Sequence, residues 1–499
     1  MRFQPSVTLA ATLIALWAES AGAQPVPKTW DDQAIAALEI PLADPVGSPK
    51  HVSADYYYRI PVAPIYKSYP VYAPGHEPPG YMDWLNQQEP EILWDDAGHA
   101  PPLQTDADWI RAGEIVFDAP VRFQGTISLE NVRSPAWYRE TETPIANDGT
   151  LAIVRYVIVH KGVVELGTLS CGHCHTRLMP DGRTLKGAQG NFPLSRIGAA
   201  ARASATRASL GINLRAIFAV PWLSPDPEAP LEQISFQAAL KPLPPGVNPR
   251  YRTSLLYPVQ VPDLIGVRDR RYLDRTGLHS QRSIADLMRY AAMNRGIGDG
   301  GDALANHNGF IPADAPRFQK LPDPSTRSRY SDEQLYALAL YLYSLQPPPN
   351  PNKFDAAAAR GQRVFERGGC GNCHTPPLYS NNKLTPVEGF TIPKDHRKKY
   401  DILPVTVGTD TGLALKTRRG TGYYKVPSLK GLWYRAMFPH DGSCVTLEDW
   451  FDPRRLRDDY VPTGFKGAGA TTRSVKGHAF GLDLSAGDKQ ALIAFLKTL

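Results

Sequence analysis

The sequence predicts a mainly α-helical chain of two similarly built halves with long loops, preceded by an extended arm and interrupted by a small β insertion. Three observations carry that expectation. A Cys-x-x-Cys-His pentad occurs twice, as Cys171-Gly172-His173-Cys174-His175 and as Cys370-Gly371-Asn372-Cys373-His374. Ahead of each stands the same relation of Gly, Val and Phe, in Gly113-Glu114-Ile115-Val116-Phe117 and in Gly361-Gln362-Arg363-Val364-Phe365. Behind each comes a closing segment with apolar residues at helical spacing: Ala337, Leu338, Tyr341 and Leu342 in one, Ala491, Leu492, Phe495 and Leu496 in the other. The repeated order is helix, pentad, loops, helix.

The spacing within the pentad has a chemical reason. Two thiols three positions apart on one helical turn can add to the two vinyl groups of a single haem, and the His that follows then lies under the ring to bind the iron. One copy alone could be chance, half of a zinc site or a redox pair. Two copies far apart, in a chain with only five cysteines, argue against those readings and against a disulfide framework. The sequence therefore reads as a di-haem c-type cytochrome. Two covalently bound haem c groups sit on Cys171 and Cys174 and on Cys370 and Cys373, with His175 and His374 as the iron ligands. The fifth cysteine, Cys444, reads as a small buried residue.

In chain order, residues 1–23 read as a signal peptide: Arg2, an apolar run from Val7 to Ala18, and a small-x-small site at Ala21-Gly22-Ala23 before Gln24. That run is short for a membrane span, and no later stretch approaches roughly 18 apolar residues. Haem c is attached outside the cytoplasmic membrane, so the expected location is periplasmic or secreted, in a Gram-negative bacterium. Residues 24–105 are rich in Pro and Tyr (Tyr56-Tyr57-Tyr58, Pro61, Tyr66, Tyr69, Pro70, Tyr72) without a helical stripe, and read as an extended arm around the first haem domain. Residues 106–346 form that domain. Phe365 stands close before Cys370 but Phe117 far before Cys171, so the first domain carries an insertion near 120–165, with a strand at Ile153 to Val159. Pro347-Pro348-Pro349-Asn350-Pro351 stiffens a linker at 347–353, and 354–499 form the second domain. Ser331 and Ser485 suit N-caps of the two closing helices. A net charge of +6 with scattered basic residues leaves no nucleic-acid footprint. The 47 Pro and 41 Gly imply much irregular structure between these elements.

What holds the far side of each iron decides whether a haem carries electrons or opens to a small molecule. His396, His440 and His478 are the downstream candidates for the second haem, whereas no His lies between His175 and His279. Further motifs then bear on the question: Lys425-Val426-Pro427-Ser428-Leu429-Lys430-Gly431, Phe438-Pro439-His440-Asp441-Gly442-Ser443, Thr446-Leu447-Glu448, and the ending Ala494-Phe495-Leu496-Lys497-Thr498-Leu499. With Ile217-Phe218-Ala219-Val220-Pro221-Trp222, these resemble bacterial di-haem cytochrome c peroxidases. That superfamily includes the di-haem enzyme of methylamine utilisation and the di-haem rubber oxygenases. The resemblance spans about 106–499 and not the arm.

The resemblance implies that His478 is the second axial ligand of the C-terminal haem, making it a bis-His electron carrier, and that Trp222 relays electrons between the haems. A surface His and a core Trp are the plain alternatives. His440 resembles a His in a packed turn. The Gly-His-Gly-Trp loop of typical peroxidases is missing, since Gly187 to Leu210 contain no His, so the N-terminal haem is expected to be open. Phe236 would line that open side, or else simply pack in the core; no distal Glu can be assigned, Glu232 being merely near. Pro262-Asp263-Leu264-Ile265-Gly266-Val267 and Arg282-Ser283-Ile284-Ala285-Asp286-Leu287-Met288 look closer to the rubber-oxygenase branch. Three functions stay open. One is a peroxidase that reduces hydrogen peroxide at the N-terminal haem, fed by a small soluble donor such as a cytochrome c or cupredoxin. Another is an oxygenase using dioxygen on an apolar alkene, and the third is a pure electron carrier. Calcium between the halves, as in related peroxidases, has no ligands that the sequence assigns.

Overall fold

The computed structural model describes residues 25–499 except 39–41, 47–49, 124–125, 202–224, 226–228, 232–233, 251–253, 296–309, 312–322, 324, 326–327 and 418–419. Helix outweighs strand among them, and the strands form several small sheets. No described helix is long and apolar enough to cross a membrane.

Each half is built on one helix crossing. In the N-terminal half the opening helix Asp106–Asp118 packs on the closing helix Asp332–Ser344; in the C-terminal half Ala356–Arg367 packs on Ala486–Lys497. The glycines of the repeat explain why these backbones come so close. A methyl group on Gly113 would overlap the carbonyl oxygen of Ala337 and stand 2.6 Å from Cβ of Tyr341. On Gly361 it would overlap the carbonyl oxygen of Ala491 and stand 2.7 Å from Cβ of Phe495. Four residues on from each glycine, Phe117 meets Tyr341 at 5.3 Å between ring centres and Phe365 meets Phe495 at 5.4 Å. These tilted aromatic pairs fill the crossing. The helices start where local chemistry says they should. Thr105 with Asp108 and Ser331 with Gln334 form capping boxes, while Asp355 and Ser485 accept from the amides of Ala358 and Asp488.

The expected strand exists and is longer than its core, running Thr150–His160. It sits in an antiparallel sheet of four strands in the order Ser68–Tyr72, Thr150–His160, Val163–Thr168, Arg122–Phe123. The insertion is therefore not self-contained, because its first edge comes from the arm. The arm itself departs from the extended expectation. It holds helices Asp32–Leu38, Ala54–Arg59 and Tyr81–Asn86, and the three consecutive tyrosines lie on the second of them. Helix Ala54–Arg59 is stabilised by the Ser53 cap and by tertiary packing: Tyr57 stacks on buried Trp30 at 4.6 Å, and the Trp30 indole donates to the carbonyl of Val52. The arm also clips onto the N-terminus of the closing helix, where Asp332 accepts from the Thr29 amide at 3.0 Å and from the Tyr58 hydroxyl.

The two halves are joined by hydrogen bonds. The Gln260 amide donates to the carbonyl of His440 at 2.9 Å, Ala436 to the Gln189 side chain at 3.2 Å, and the Tyr434 hydroxyl to Asp263 at 2.9 Å. This seam lies beside the second pentad.

Candidate functional site

The two pentads are built alike from below. Cys171–Cys174 form a single helical turn capped by Ser170, and Cys370–Asn372 form a tighter 3₁₀ turn entered through Gly369 in the left-handed region. In both, the amide of the pentad His donates to the carbonyl of the first Cys, at 2.9 Å for His175 and 2.8 Å for His374. That bond fixes the His one turn above the first thiol. The pentad glycine rests on the aromatic of the opening helix. A methyl on Gly172 would be 3.4 Å from the Phe117 ring, and one on Gly371 would be 3.9 Å from the Phe365 ring.

The same device orients both imidazoles. His175 Nδ1 lies 3.0 Å from the carbonyl of Pro262, and His374 Nδ1 lies 3.1 Å from that of Pro427 and 3.2 Å from that of Tyr379. A carbonyl only accepts, so Nδ1 carries the proton in each ring and Nε2 keeps its lone pair for a metal. Burial pushes His175 down to about 4 and His374 down from its ordinary value, so both are neutral at pH 7. The two prolines stand in matching segments, Val261-Pro262-Asp263-Leu264-Ile265-Gly266 and Val426-Pro427-Ser428-Leu429-Lys430-Gly431. Each ends on a glycine with φ near +70°, 72° at Gly266 and 73° at Gly431. Sequence reasoning had both segments in hand but not their equivalence; the shared Val-Pro-x-Leu-x-Gly was the available signal.

The second pentad faces a cavity of about 1140 Å³. That exceeds the roughly 300–1,000 Å³ of ordinary small-molecule pockets. Cys370, Cys373, His374 and His478 all line it, with Phe365, Leu429, Phe438, Phe451 and Leu492 among its apolar wall. Burial first, and then the nearby His374 and Arg455, push His478 down to about 4, so this ring too is neutral. Its Nδ1 is buried without a hydrogen-bond partner among the described residues. Trp450 packs edge-on against it at 5.3 Å and Phe480 lies at 5.5 Å.

Arg455, which sequence reasoning missed, holds the His478 segment in place. It is fully buried and donates to the carbonyls of Trp450, Val475 and His478 at 2.7, 2.7 and 2.6 Å, with its guanidinium 4.0 Å from the Trp450 ring centre. The other two candidates for this position separate. His440 lines the cavity but is engaged from the side, 3.3 Å from the Tyr424 hydroxyl and 4.8 Å between ring centres. His396 is outside the cavity lining and bonds the Tyr423 hydroxyl at 3.0 Å.

Around the first pentad, His173 is buried and donates Nδ1–H to the carbonyl of Ile153 at 2.7 Å, tying the pentad to the β insertion. Trp222 and Glu232 lie outside the described residues. Phe236 opens the short helix Phe236–Leu240, capped by Ser235, and its side chain is outside the described residues. His279 is buried and lies 5.0 Å from the Tyr290 ring. Cys444 is fully buried, as a small core residue should be. Among the described residues no group of three or more His, Cys, Asp or Glu gathers to hold a metal ion.

These residues could hold a haem c. A pair of thiols, a neutral imidazole with a fixed tautomer and a second neutral imidazole share one large cavity. No protein-family model and no curated protein matches the chain. Solved structures similar to it include the following two. Hydrazine synthase of Kuenenia stuttgartiensis, studied under xenon pressure, has a TM-score of 0.29 and 16% identity, over 57% of this chain and 85% of that one. A MauG-like protein associated with microbial copper homeostasis has a TM-score of 0.29 and 17% identity, over 49% of this chain and 73% of that one. Likeness this shallow carries no argument, and the functional reading rests on the chain's own residues.

Proposed function

We propose that this chain is an exported, periplasmic di-haem c-type oxidoreductase that reduces hydrogen peroxide at the N-terminal haem, with electrons entering at the C-terminal haem. The observation that carries it is the pairing of His374 with His478 in one cavity, set against a sequence with no His between His175 and His279. On this reading one site is equipped with two imidazoles for electron transfer, and the other relies on His175. A haem held by these residues would supply the chemistry of single-electron exchange and of peroxide reduction.

The chain's own part is positioning. Pro262 and Pro427 hold the proton on Nδ1 of His175 and His374, leaving Nε2 to ligate. Arg455 fixes the backbone of His478, and the apolar wall keeps water from the second site. By the family resemblance, Trp222 would serve as the electron relay and Phe236 as the aromatic of the open site. Each peroxide takes two electrons and two protons and leaves as two waters, the electrons coming from a small soluble donor such as a cytochrome c or cupredoxin.

Steady-state oxidation of a reduced small cytochrome c, with and without hydrogen peroxide, tests the reading. The expected result is peroxide-dependent turnover that His175→Gly abolishes and Phe236→Ala largely retains. No turnover, from a protein whose first haem still binds dioxygen or cyanide, would overturn it in favour of an oxygenase.

A further inference from the structure

The cavity holding Cys370, Cys373, His374 and His478 has one strongly polar side. Gln189, Gln260, Asp263 and Arg275 reach it from the N-terminal half, and Lys425 and Arg435 from the C-terminal half. Arg270 stands behind them, close enough to repel both Arg275 and Lys425. Four cations therefore gather where two acids, Asp263 and Asp274, are buried.

Among the described residues both acids accept from neutral donors. Asp263 accepts from the Tyr434 hydroxyl at 2.9 Å and the Ile265 amide at 3.2 Å. Asp274 accepts from the amides of Thr276 and Leu278, both at 2.9 Å. The cations, in turn, donate to neutral oxygens. Lys425 Nζ donates to the carbonyl of Tyr272 at 2.8 Å and Arg435 to that of Ser428 at 2.8 Å, while Arg275 donates to the side-chain oxygen of Gln260. Arg270 donates to the carbonyls of Asp263 and Ile265. Nε of Arg275 and of Arg435 are buried with no hydrogen-bond partner among the described residues. Burial, with Arg270, Arg275 and Arg435 adding to it, drives the Lys425 ammonium well below its ordinary value, and burial with the same neighbours brings Arg275 to about 10. Buried positive charge in excess of its counter-charge is unfavourable, and a carboxylate accepting charge-assisted bonds relieves it.

The haem that fits this cavity carries two carboxylates, which lose water when the ring enters and must be paired to be buried. We propose that Arg275, Lys425 and Arg435 form a carboxylate clamp in the wall of this cavity, and that the haem held at Cys370 and Cys373 supplies the carboxylates. The clamp rests on the reading that a haem occupies this cavity. Arg275 belongs to the N-terminal half and Lys425 and Arg435 to the other, so the C-terminal haem is gripped by both halves. A small free carboxylate or phosphate offers the same chemistry, and the experiment separates the two sources.

The full-length holoprotein is compared with Arg275→Gln, Lys425→Met and the charge-keeping Lys425→Arg. Intact mass first counts the haems on each. Potentiometric titration and resonance Raman spectra of the propionate modes then read the environment of the haem at His374. Removing a cation beside its carboxylates favours the oxidised, more positive iron, so the midpoint potential of that haem falls in Arg275→Gln and Lys425→Met. Its propionate bands shift, Lys425→Arg stays with the parent, and the haem at His175 moves less. If Arg275→Gln does not accumulate, Arg435→Gln reads the same charge from the other half.

Two haems present with potential and propionate bands unmoved would overturn the clamp and leave the haem reading standing. A parent protein with no haem on Cys370 and Cys373 would overturn both. Succinate or inorganic phosphate binding to the parent holoprotein but not to the variants, with propionate bands unmoved, would also overturn it, because a free anion then occupies the cluster.

Discussion

His175 gives its Nδ1 proton to Pro262 at 3.0 Å and His374 gives its own to Pro427 at 3.1 Å, each beneath a glycine-tight helix crossing. Beyond the imidazoles the resemblance between the two halves stops. The second pentad faces a cavity with His478 in its wall, held by the buried Arg455. The first is tied through His173 to a four-stranded β-sheet, whereas the described residues of the second half form only a two-stranded one. A duplicated proximal side with divergent surroundings suits two cofactors of one kind performing two tasks, since the ligand set and its neighbours tune a haem more than the attachment does.

The largest effect that tests the comparison is loss of a cofactor. Cys370→Ala with Cys373→Ala is expected to lower the intact mass by one haem, and Cys171→Ala with Cys174→Ala by the other. If either pair leaves both haems in place, the two pentads are not equivalent anchors. Next comes the far side. His478→Gly is expected to turn the C-terminal haem from low-spin to high-spin and raise cyanide binding from one site per chain to two. An unchanged spectrum would mean that another residue, His440 being the nearest candidate by its place in the cavity wall, completes that site.

The crossings should respond alike. Gly113→Ala and Gly361→Ala each place a methyl against a backbone carbonyl that cannot swing away. The expected cost is about 1–3 kcal/mol apiece in urea unfolding, despite the ~1 kcal/mol of helix propensity that alanine brings. A loss at one glycine only would show that a single crossing bears the stability.

The smallest effects separate a buried ion pair from an exposed one. Burial alone would raise the Asp286 carboxyl, but hydrogen bonds and charge from Arg282, with Arg289 beside it, hold it below its ordinary 3.8. A depressed carboxyl stabilises the fold above its unfolded value of about 3.9, and that contribution fades as pH falls through the lower folded value. Asp286→Asn should therefore cost about 2 kcal/mol at pH 7, and the gap from the parent should close on acidification. Glu448 pairs with Lys497 across side chains 56% and 40% exposed, so Glu448→Gln should cost at most about 1 kcal/mol, screened by salt. Equal losses for the two would refute the ranking; denaturation at pH 7 and pH 3 reads both.

How much of this was legible depends on how far apart the deciding atoms lie in sequence. The pentads, the Gly and Phe of each opening helix and the Ser caps all act within a turn or two, and all were readable. The arm misled because Tyr56-Tyr57-Tyr58 has no helical stripe of its own; Trp30 and the Ser53 cap supply what the segment lacks. Arg455 was invisible for a similar reason. Its neighbour Arg454 has a side chain 78% exposed while Arg455 is fully buried, and nothing in Pro453-Arg454-Arg455-Leu456 distinguishes them.

The sequence by itself determined the two Cys-x-x-Cys-His motifs and the opening and closing helices beside them, because covalent spacing and helical periodicity are local. Only the tertiary structure decided that His478, whose backbone carbonyl Arg455 holds, lines the cavity of His374, while His440 bonds Tyr424 and His396 bonds Tyr423. It also decided that Arg275 meets Lys425 and Arg435 there. Those juxtapositions join groups far apart in the chain, His374 with His478 and Arg275 with Lys425, where packing and buried charge, rather than any spacing along the chain, choose which groups come together.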